Sequence, residues 1–150
     1  MAGRAGGTAR DRGSAALFVA IFAPAMLFLA GLVIDGGAAM EARQRASDIA
    51  EQAARAAGGQ CNVALLRSAG ECRITDYTAA SVAAGPYLTD NGVTDSGLQF
   101  IDPVPGAPGQ YYGVRVTVTI TFQTVLLGIF PAYDTLTVTQ SADAVAVTGL

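Results

Sequence analysis

The pattern of apolar and polar residues divides the chain into three parts. The first part is residues 14–34 (SAALFVAIFAPAMLFLAGLVI), which are 21 consecutive residues without a charged side chain. At about 1.5 Å per residue, a helix of this length crosses the roughly 30 Å hydrocarbon core of a bilayer. The pattern therefore predicts a transmembrane helix at residues 14–35 and makes the lipid bilayer the first expected partner.

Charge on either side of this span predicts its orientation. Residues 1–13 contain three arginines and one aspartate, a net charge of +2, and basic residues beside a span favour the cytoplasmic side. We therefore expect a basic cytoplasmic tail at 1–13 and a single-pass plasma-membrane protein whose C-terminal part is extracytoplasmic. A cleaved signal peptide is the alternative, but its apolar region is usually about 7 to 15 residues long.

The second part is rich in alanine and other helix-forming residues and ends at Gly58 and Gly59, which predicts a juxtamembrane helix at 36–59. The span and this helix can form one rod from Ser14 to Ala57, with Gly36–Gly37 as the expected bend. Small residues recur at spacings of three and four, a pattern that favours close packing against a neighbouring subunit. The residues of this stripe are Ala39, Ala42, Ala46, Ile49, Ala53 and Ala56.

The chain has two cysteines, Cys61 and Cys72, with ten residues between them. Outside the cytoplasm such a pair typically forms a disulfide, which would stabilise a small domain by roughly 2 to 3 kcal/mol. A zinc site would lack ligands because the chain has no histidine. The Cys-x-x-Cys spacing of redox enzymes is also absent. We therefore expect a structural disulfide.

The third part changes to an apolar period of two from Leu98 onward. Residues 114–122 (VRVTVTITF) alternate strictly, as is typical of an antiparallel strand with one solvated face. Before it, Thr75 or Asp76 is expected to cap a short helix that Gly85–Pro86 interrupts. The prediction is an α+β fold, with a small extracytoplasmic domain at 60–150 that holds a short helix and a sheet of about three to four strands.

The end of the chain poses two further questions. The apolar phase of residues 134–149 changes near Gln140, which indicates a bulge or a second strand. The connector at 123–133 (QTVLLGIFPAY) is strongly apolar, and it is either buried beneath the helix or exposed to contact the membrane or a partner. The candidate contact residues are Val125, Leu126, Leu127, Ile129 and Phe130.

Residue types that carry catalysis are scarce. The chain has no histidine and no lysine, so acyl transfer lacks its usual base, and it contains no P-loop and no G-x-S-x-G motif. We expect no enzymatic activity, no catalytic residue, no metal site and no cofactor. Beyond residue 13 there are 11 acidic residues and 6 arginines, a balance that argues against binding to nucleic acid.

Two stretches carry a resemblance to a known family. Arg12-Gly13-Ser14 before the span, followed by LVIDGGAAMEARQRASDIAEQAARAA, resembles the TadE/TadG-like family of tight-adherence (Flp) pilus assembly proteins, particularly in its actinobacterial, high-GC form. The last two predicted strands and their apolar connector are similar to the end of that family. The resemblance implies a pilin-like domain and a minor pilin or pseudopilin that contacts other pilin-like or pilus-assembly subunits through its N-terminal helix.

The resemblance also implies a candidate prepilin-peptidase cleavage site between Gly13 and Ser14. Pilin-like members are cut after a glycine and carry glutamate at the fifth residue beyond it, where this chain has Phe18. This difference favours an assembly accessory that stays in the membrane over a fibre subunit. The alternatives are an extracytoplasmic binding module unrelated to pili and a subunit of another secretion system.

Overall fold

The computed structural model describes residues 8–89, 91–129 and 134–146, with side chains from residue 15 onward. Within these residues three helices precede an antiparallel sheet, and the predicted α+β class is confirmed. The elements are α1 (Thr8–Gly58), α2 (Val63–Ala69), α3 (Tyr77–Thr89), β1 (Asp95–Pro103), β2 (Tyr111–Gln123), a 3-10 turn at Leu127–Ile129 and β3 (Thr135–Val145).

Helix α1 is a single helix of 51 residues, which corresponds to about 77 Å at 1.5 Å per residue. It continues through Pro24 and past Gly36 and Gly37, so span and juxtamembrane segment form one element. Within the described part of the chain, α1 is the helix that is long and apolar enough to cross a membrane. The side chains of its apolar part are almost all exposed, whereas its C-terminal half is packed on one side.

The sheet has the order β1-β2-β3, with β2 in the centre. Alternate side chains of β2 point towards α1 and are buried, among them Val114, Val116 and Val118. Strand β3 pairs with β2 without interruption from Gly113↔Val145 to Gln123↔Thr135.

The expected bulge or second strand near Gln140 is therefore not present. Ala142 and Ala144 keep the same phase as Leu136 and Val138 on the inner face, while Val145 points to the other face. The valines of this segment alone indicate a change of phase, because the inward positions near the end of β3 are occupied by alanines.

The core lies between α1, the inner face of the sheet and α3. Small residues let the helix approach closely, since a Cβ added at Gly58 would lie 2.9 Å from the Cβ of Ala144. Of the predicted stripe, four residues are buried and Ala39 and Ala56 are half-buried. The buried residues of α1 in this contact are Ala42, Ala46, Ile49, Ala50, Ala53, Ala54 and Ala57.

The connecting segments follow local rules. Asp76 caps α3 by accepting hydrogen bonds from the backbone N–H groups of Thr78 (2.8 Å) and Ala79 (3.1 Å). Helix α3 contains Pro86 and is not interrupted there, contrary to the expectation. Cys61 and Cys72 form the predicted disulfide, with their Cα atoms 5.1 Å apart.

Candidate functional site

The site that connects the span to the folded domain is built around Asp35. Its side chain is only 5% exposed. One carboxylate oxygen accepts the backbone N–H of Val125 at 2.7 Å, and the other accepts those of Leu126 and Leu127, each at 3.0 Å. Three successive backbone N–H groups thus enclose one anion, a concave arrangement that suits negative charge, and such charge-assisted bonds are stronger than neutral ones. We call this contact the Asp35 clasp.

Gly31 lies one helical turn before Asp35 and makes room for the loop. A Cβ added at Gly31 would lie 2.8 Å from the Cβ of Leu126 and 2.9 Å from its Cδ1 atom. At these distances either Leu126 or the helix would have to shift. Leu126 therefore packs directly on the helix backbone. A small residue within the apolar span is used here for a contact inside the chain.

The base of the loop is closed by Thr124 and Asp134. The backbone N–H of Thr124 donates to the carbonyl oxygen of Asp134 at 3.0 Å, and the Thr124 hydroxyl donates to the same oxygen at 3.4 Å. The N–H of Ile129 donates to the carbonyl of Leu126 at 3.3 Å, which forms the 3-10 turn. These bonds hold residues 124–129 in a defined shape against α1.

The apolar side chains of this loop divide between two environments. Leu126 and Leu127 are half-buried against the protein. Val125 and Ile129 are 67% and 71% exposed. Part of the apolar connector is thus packed against the protein, and part of it is exposed for contact with a membrane or a partner. Phe130, the fifth candidate contact residue, lies outside the described residues.

The hairpin of β2 and β3 lies alongside the C-terminal half of α1. At one end, the loop contacts Gly31 and Asp35. At the other end, Ala144 contacts Gly58. The 23 residues from Asp35 to Gly58 correspond to about 35 Å of helix, and the ten residues from Gly113 to Gln123 correspond to about 33 Å of strand. The loop is therefore the end of the domain that faces the span.

A second polar cluster connects the disulfide region to the sheet. One oxygen of Glu71 accepts hydrogen bonds from the Arg73 guanidinium (2.9 and 3.3 Å) and from the Tyr112 hydroxyl (3.1 Å). Arg73 also donates to the side chain of Gln110 at 2.9 Å. The hydrogen bond from Arg73, followed by that from Tyr112, holds the pKa of Glu71 below its ordinary value. The cluster thus links the residues on either side of Cys72 to the start of strand β2.

The solvated face of the sheet carries a pair of opposite charges. Arg115 and Asp143 are register partners on β2 and β3, and two hydrogen bonds of 2.6 Å join the guanidinium to both carboxylate oxygens. Hydrogen bonding to Arg115 lowers the pKa of Asp143. Thr117 pairs with Ser141 and Thr119 with Thr139 by hydroxyl hydrogen bonds on the same face, so this surface is a ladder of cross-strand contacts.

The predicted interaction residues have different locations. The alanine stripe lies against the chain's own sheet and α3, so a lateral partner would have to contact another face of α1. Gly13 and Ser14 lie within α1, and their side chains are outside the described set. Asp35 was not among the predicted site residues. The sequence features that mark Asp35 are its place as a lone acid at the end of an apolar span and the presence of a strongly apolar loop later in the chain.

A known protein family matches the helix that carries Asp35. Residues 13–60 match the family model Tad, described as "Putative Flp pilus-assembly TadE/G-like". This segment is TadE/G-like. The TadE/G-like match ends two residues after α1 and contains Gly31, Asp35 and the alanine stripe, while the loop that Asp35 binds lies beyond it. The family description names pilus assembly and no catalytic activity. No curated protein and no solved structure matches the chain.

Proposed function

We propose that this chain is a membrane-anchored accessory protein, similar to a minor pilin or pseudopilin, that acts in the assembly of a tight-adherence (Flp-type) pilus. The observation that carries the proposal is the TadE/G-like match at residues 13–60. Residues 13–58 of the match lie in one continuous helix, whose first half is apolar and exposed and whose second half packs against the folded domain.

Anchoring is supported by the surface of α1 between residues 15 and 34. An uninterrupted exposed apolar surface of this length is unfavourable in water, and it matches the hydrocarbon core of a bilayer. Its large exposed side chains include Leu17, Phe18, Ile21, Leu27, Leu32 and Val33. The basic tail before it favours a cytoplasmic N-terminus, and we therefore propose that the domain from residue 60 onward lies outside the cytoplasm.

Contacts with other subunits are proposed to use the part of α1 that the domain leaves open. Ala16, Ala20 and Ala23 are exposed on the span, and small residues at such spacings let membrane helices approach each other. The helix that would contact a neighbour is thus continuous with the helix on which the domain is mounted. A displacement of the span by an assembly partner would be carried directly to the domain.

Phe18 supports a protein that stays in the membrane. Its ring is exposed and stacks on that of Phe22, with centroids 4.4 Å apart. A carboxylate at this position would be costly in lipid without a partner. This chain has a phenylalanine there and no carboxylate. We therefore propose that residues 13 and 14 remain joined, which N-terminal sequencing of the membrane-extracted protein tests. A mature N-terminus at Ser14 would contradict it.

The decisive experiment is deletion of the gene, followed by imaging of surface fibres and by shearing of the cells. We expect few or no fibres without the protein, restoration by the wild-type gene, and recovery of the protein in the membrane fraction. A stoichiometric amount in sheared fibres would make it a fibre subunit. Normal fibres in the deletion strain would refute a role in assembly.

A further inference from the structure

We propose that the loop at residues 124–129 is a second membrane contact, which lies in the interfacial layer of the bilayer beside the span and exposes Val125 and Ile129 to lipid. In this proposal Asp35 is the hydrogen-bond acceptor that makes the loop backbone compatible with that environment. The inference rests on the proposed anchoring of α1 in a membrane. It adds a function for the apolar connector and for the clasp.

The depth of the loop follows from its contacts with α1. Asp35 marks the end of the uncharged run, and Leu126 packs at Gly31, four residues further into it. Four residues of helix correspond to about 6 Å. This depth falls within the roughly 5–10 Å to which interfacial segments bury their apolar side chains. A bilayer that covers residues 14–34 therefore also reaches the loop.

The hydrogen bonds of the loop reduce the main obstacle to such a location, because they pair most of its backbone N–H groups. Irregular backbone is excluded from lipid because unpaired N–H groups have no water to bind. Here the N–H groups of Val125, Leu126 and Leu127 all donate to Asp35, and that of Ile129 donates to Leu126. Conversely, an aspartate at the membrane boundary is costly unless it is paired. The loop supplies the donors for Asp35, and Asp35 supplies the acceptor for the loop.

The exposed surface indicates lipid as the occupant. Residues 123–129 carry no charge. Val125 and Ile129 are exposed although they lie in a loop held in place by hydrogen bonds. Val33 and Ile34 of α1, which lie at the same level along the helix between Gly31 and Asp35, are also exposed and belong to the span. The lipid that surrounds the end of the span therefore also reaches the level of the loop.

The chain contains no tryptophan, so one introduced tryptophan is an unambiguous probe of depth. The full-length protein is reconstituted in vesicles of phosphatidylcholine and phosphatidylglycerol, with or without brominated acyl chains. The loop probe is Ile129→Trp, and Val125→Trp is a second probe of the same loop. Val145→Trp is the matched control, because Val145 is also exposed (53%) but lies at the other end of the hairpin. Leu27→Trp, within the span and 72% exposed, reports anchoring.

We expect blue-shifted emission and quenching by brominated lipid for Ile129→Trp and Val125→Trp, and neither effect for Val145→Trp. Asp35→Asn combined with Ile129→Trp should shift the emission to the red and reduce the quenching. Quenching of Leu27→Trp with none at either loop position would overturn the inference while leaving the anchor intact. Absence of quenching at Leu27→Trp would instead overturn the anchor, and with it the proposed function.

Discussion

At the scale of single residues, Asp35 connects parts of the chain that are 90 or more positions apart. Local patterning marks it only as the first charge after an apolar run. Its partners are backbone N–H groups, which every residue except proline carries, so no side-chain type at 125–127 indicates the contact. The sequence was therefore sufficient to predict Asp35 as the end of the apolar span, but not as the hydrogen-bond acceptor for the loop at 125–127.

The first prediction concerns Asp35→Asn. The side-chain amide of asparagine has one acceptor oxygen where the carboxylate has two. Its NH2 group cannot accept a hydrogen bond, so at least one of the three backbone N–H groups loses its acceptor. We expect the backbone amides of Val125, Leu126 and Leu127 to exchange with deuterium faster than in the wild type. Hydrogen exchange in detergent micelles measures this, with Asp48→Asn, an exposed carboxylate on the same helix, as the control. Unchanged exchange at 125–127 in Asp35→Asn would refute the clasp.

The second prediction concerns Gly31→Ala. The added Cβ must displace Leu126, and we expect a loss of about 1–3 kcal/mol in the free energy of unfolding, as for other overpacked contacts. Gly36→Ala is the control, because nothing lies within 4 Å of a Cβ there. Helix propensity alone should make that control neutral or up to about 1 kcal/mol more stable. Both free energies come from unfolding curves in detergent.

A double variant separates the contact from general damage to the helix. Leu126→Gly removes the Cβ that a residue at 31 would meet, so the cost of Gly31→Ala should shrink when both changes are present. Interacting residues show such non-additivity, whereas independent ones add. Strict additivity would mean that Gly31 and Leu126 do not contact each other.

At the scale of elements, the alanine stripe shows what periodicity can and cannot predict. The spacing of Ala42, Ala46, Ile49 and Ala53 puts them on one face of α1, and that face is buried in the structure. It carries no information on what buries that face, and the structure shows the chain's own sheet and α3. The strict alternation of β2 was sufficient to predict its strand, its inner face and the solvated outer face. The phase of β3 was harder to predict, because Gln140 and two alanines occupy inward positions.

The third prediction tests that packing. Ala53 is fully buried, so Ala53→Leu should destabilise the domain by about 1–3 kcal/mol through overpacking. For a domain of this size, each kcal/mol corresponds to roughly 4–8 °C in Tm. Gln52→Leu adds a leucine at the adjacent exposed position and should leave Tm nearly unchanged. Equal Tm values for the two variants would show that the stripe is not in the core.

The fourth prediction concerns the cluster that joins the disulfide region to β2. Hydrogen bonds from Arg73 and Tyr112 hold the pKa of Glu71 below its ordinary value of 4.5. A carboxylate whose folded-state pKa is lowered stabilises the fold fully above its unfolded-state pKa, and this stability is lost as the pH falls towards the folded-state pKa. We therefore expect Glu71→Gln to lower Tm at about pH 7, and to lower it progressively less as the pH falls below 4.5, the ordinary pKa of a glutamate side chain.

Thermal unfolding at a series of pH values measures this difference. Glu41→Gln is the control, because it removes an exposed carboxylate of the same type from α1. A Tm difference between wild type and Glu71→Gln that stays constant across the acidic range would contradict the assignment. Asp143, whose pKa Arg115 also lowers, contributes with the same sign, so some acid sensitivity should remain in the variant.

At the scale of the whole molecule, a single helix contains both an apolar segment that fits a membrane anchor and residues that form part of the core of the domain. The sequence was sufficient to predict this helix, the disulfide and the α+β class, because each leaves a local pattern. The position of the β2–β3 hairpin along α1 was not predictable, since it depends on contacts at Gly31, Asp35 and Gly58 with no local signature. The hairpin brings the loop to the end of the span, so the expected orientation of α1 decides on which side of the membrane the loop lies.

The last prediction tests that orientation. Ser96 is exposed on β1 and should lie outside the cytoplasm if the arginines before the span remain inside. A Ser96→Cys variant in intact cells should react with a maleimide that cannot cross the membrane, while Ala5→Cys should react only after permeabilisation. The native cysteines are joined to each other, so the wild-type protein is the unlabelled control. The opposite labelling pattern would place the domain in the cytoplasm, where it could not contact an extracellular fibre.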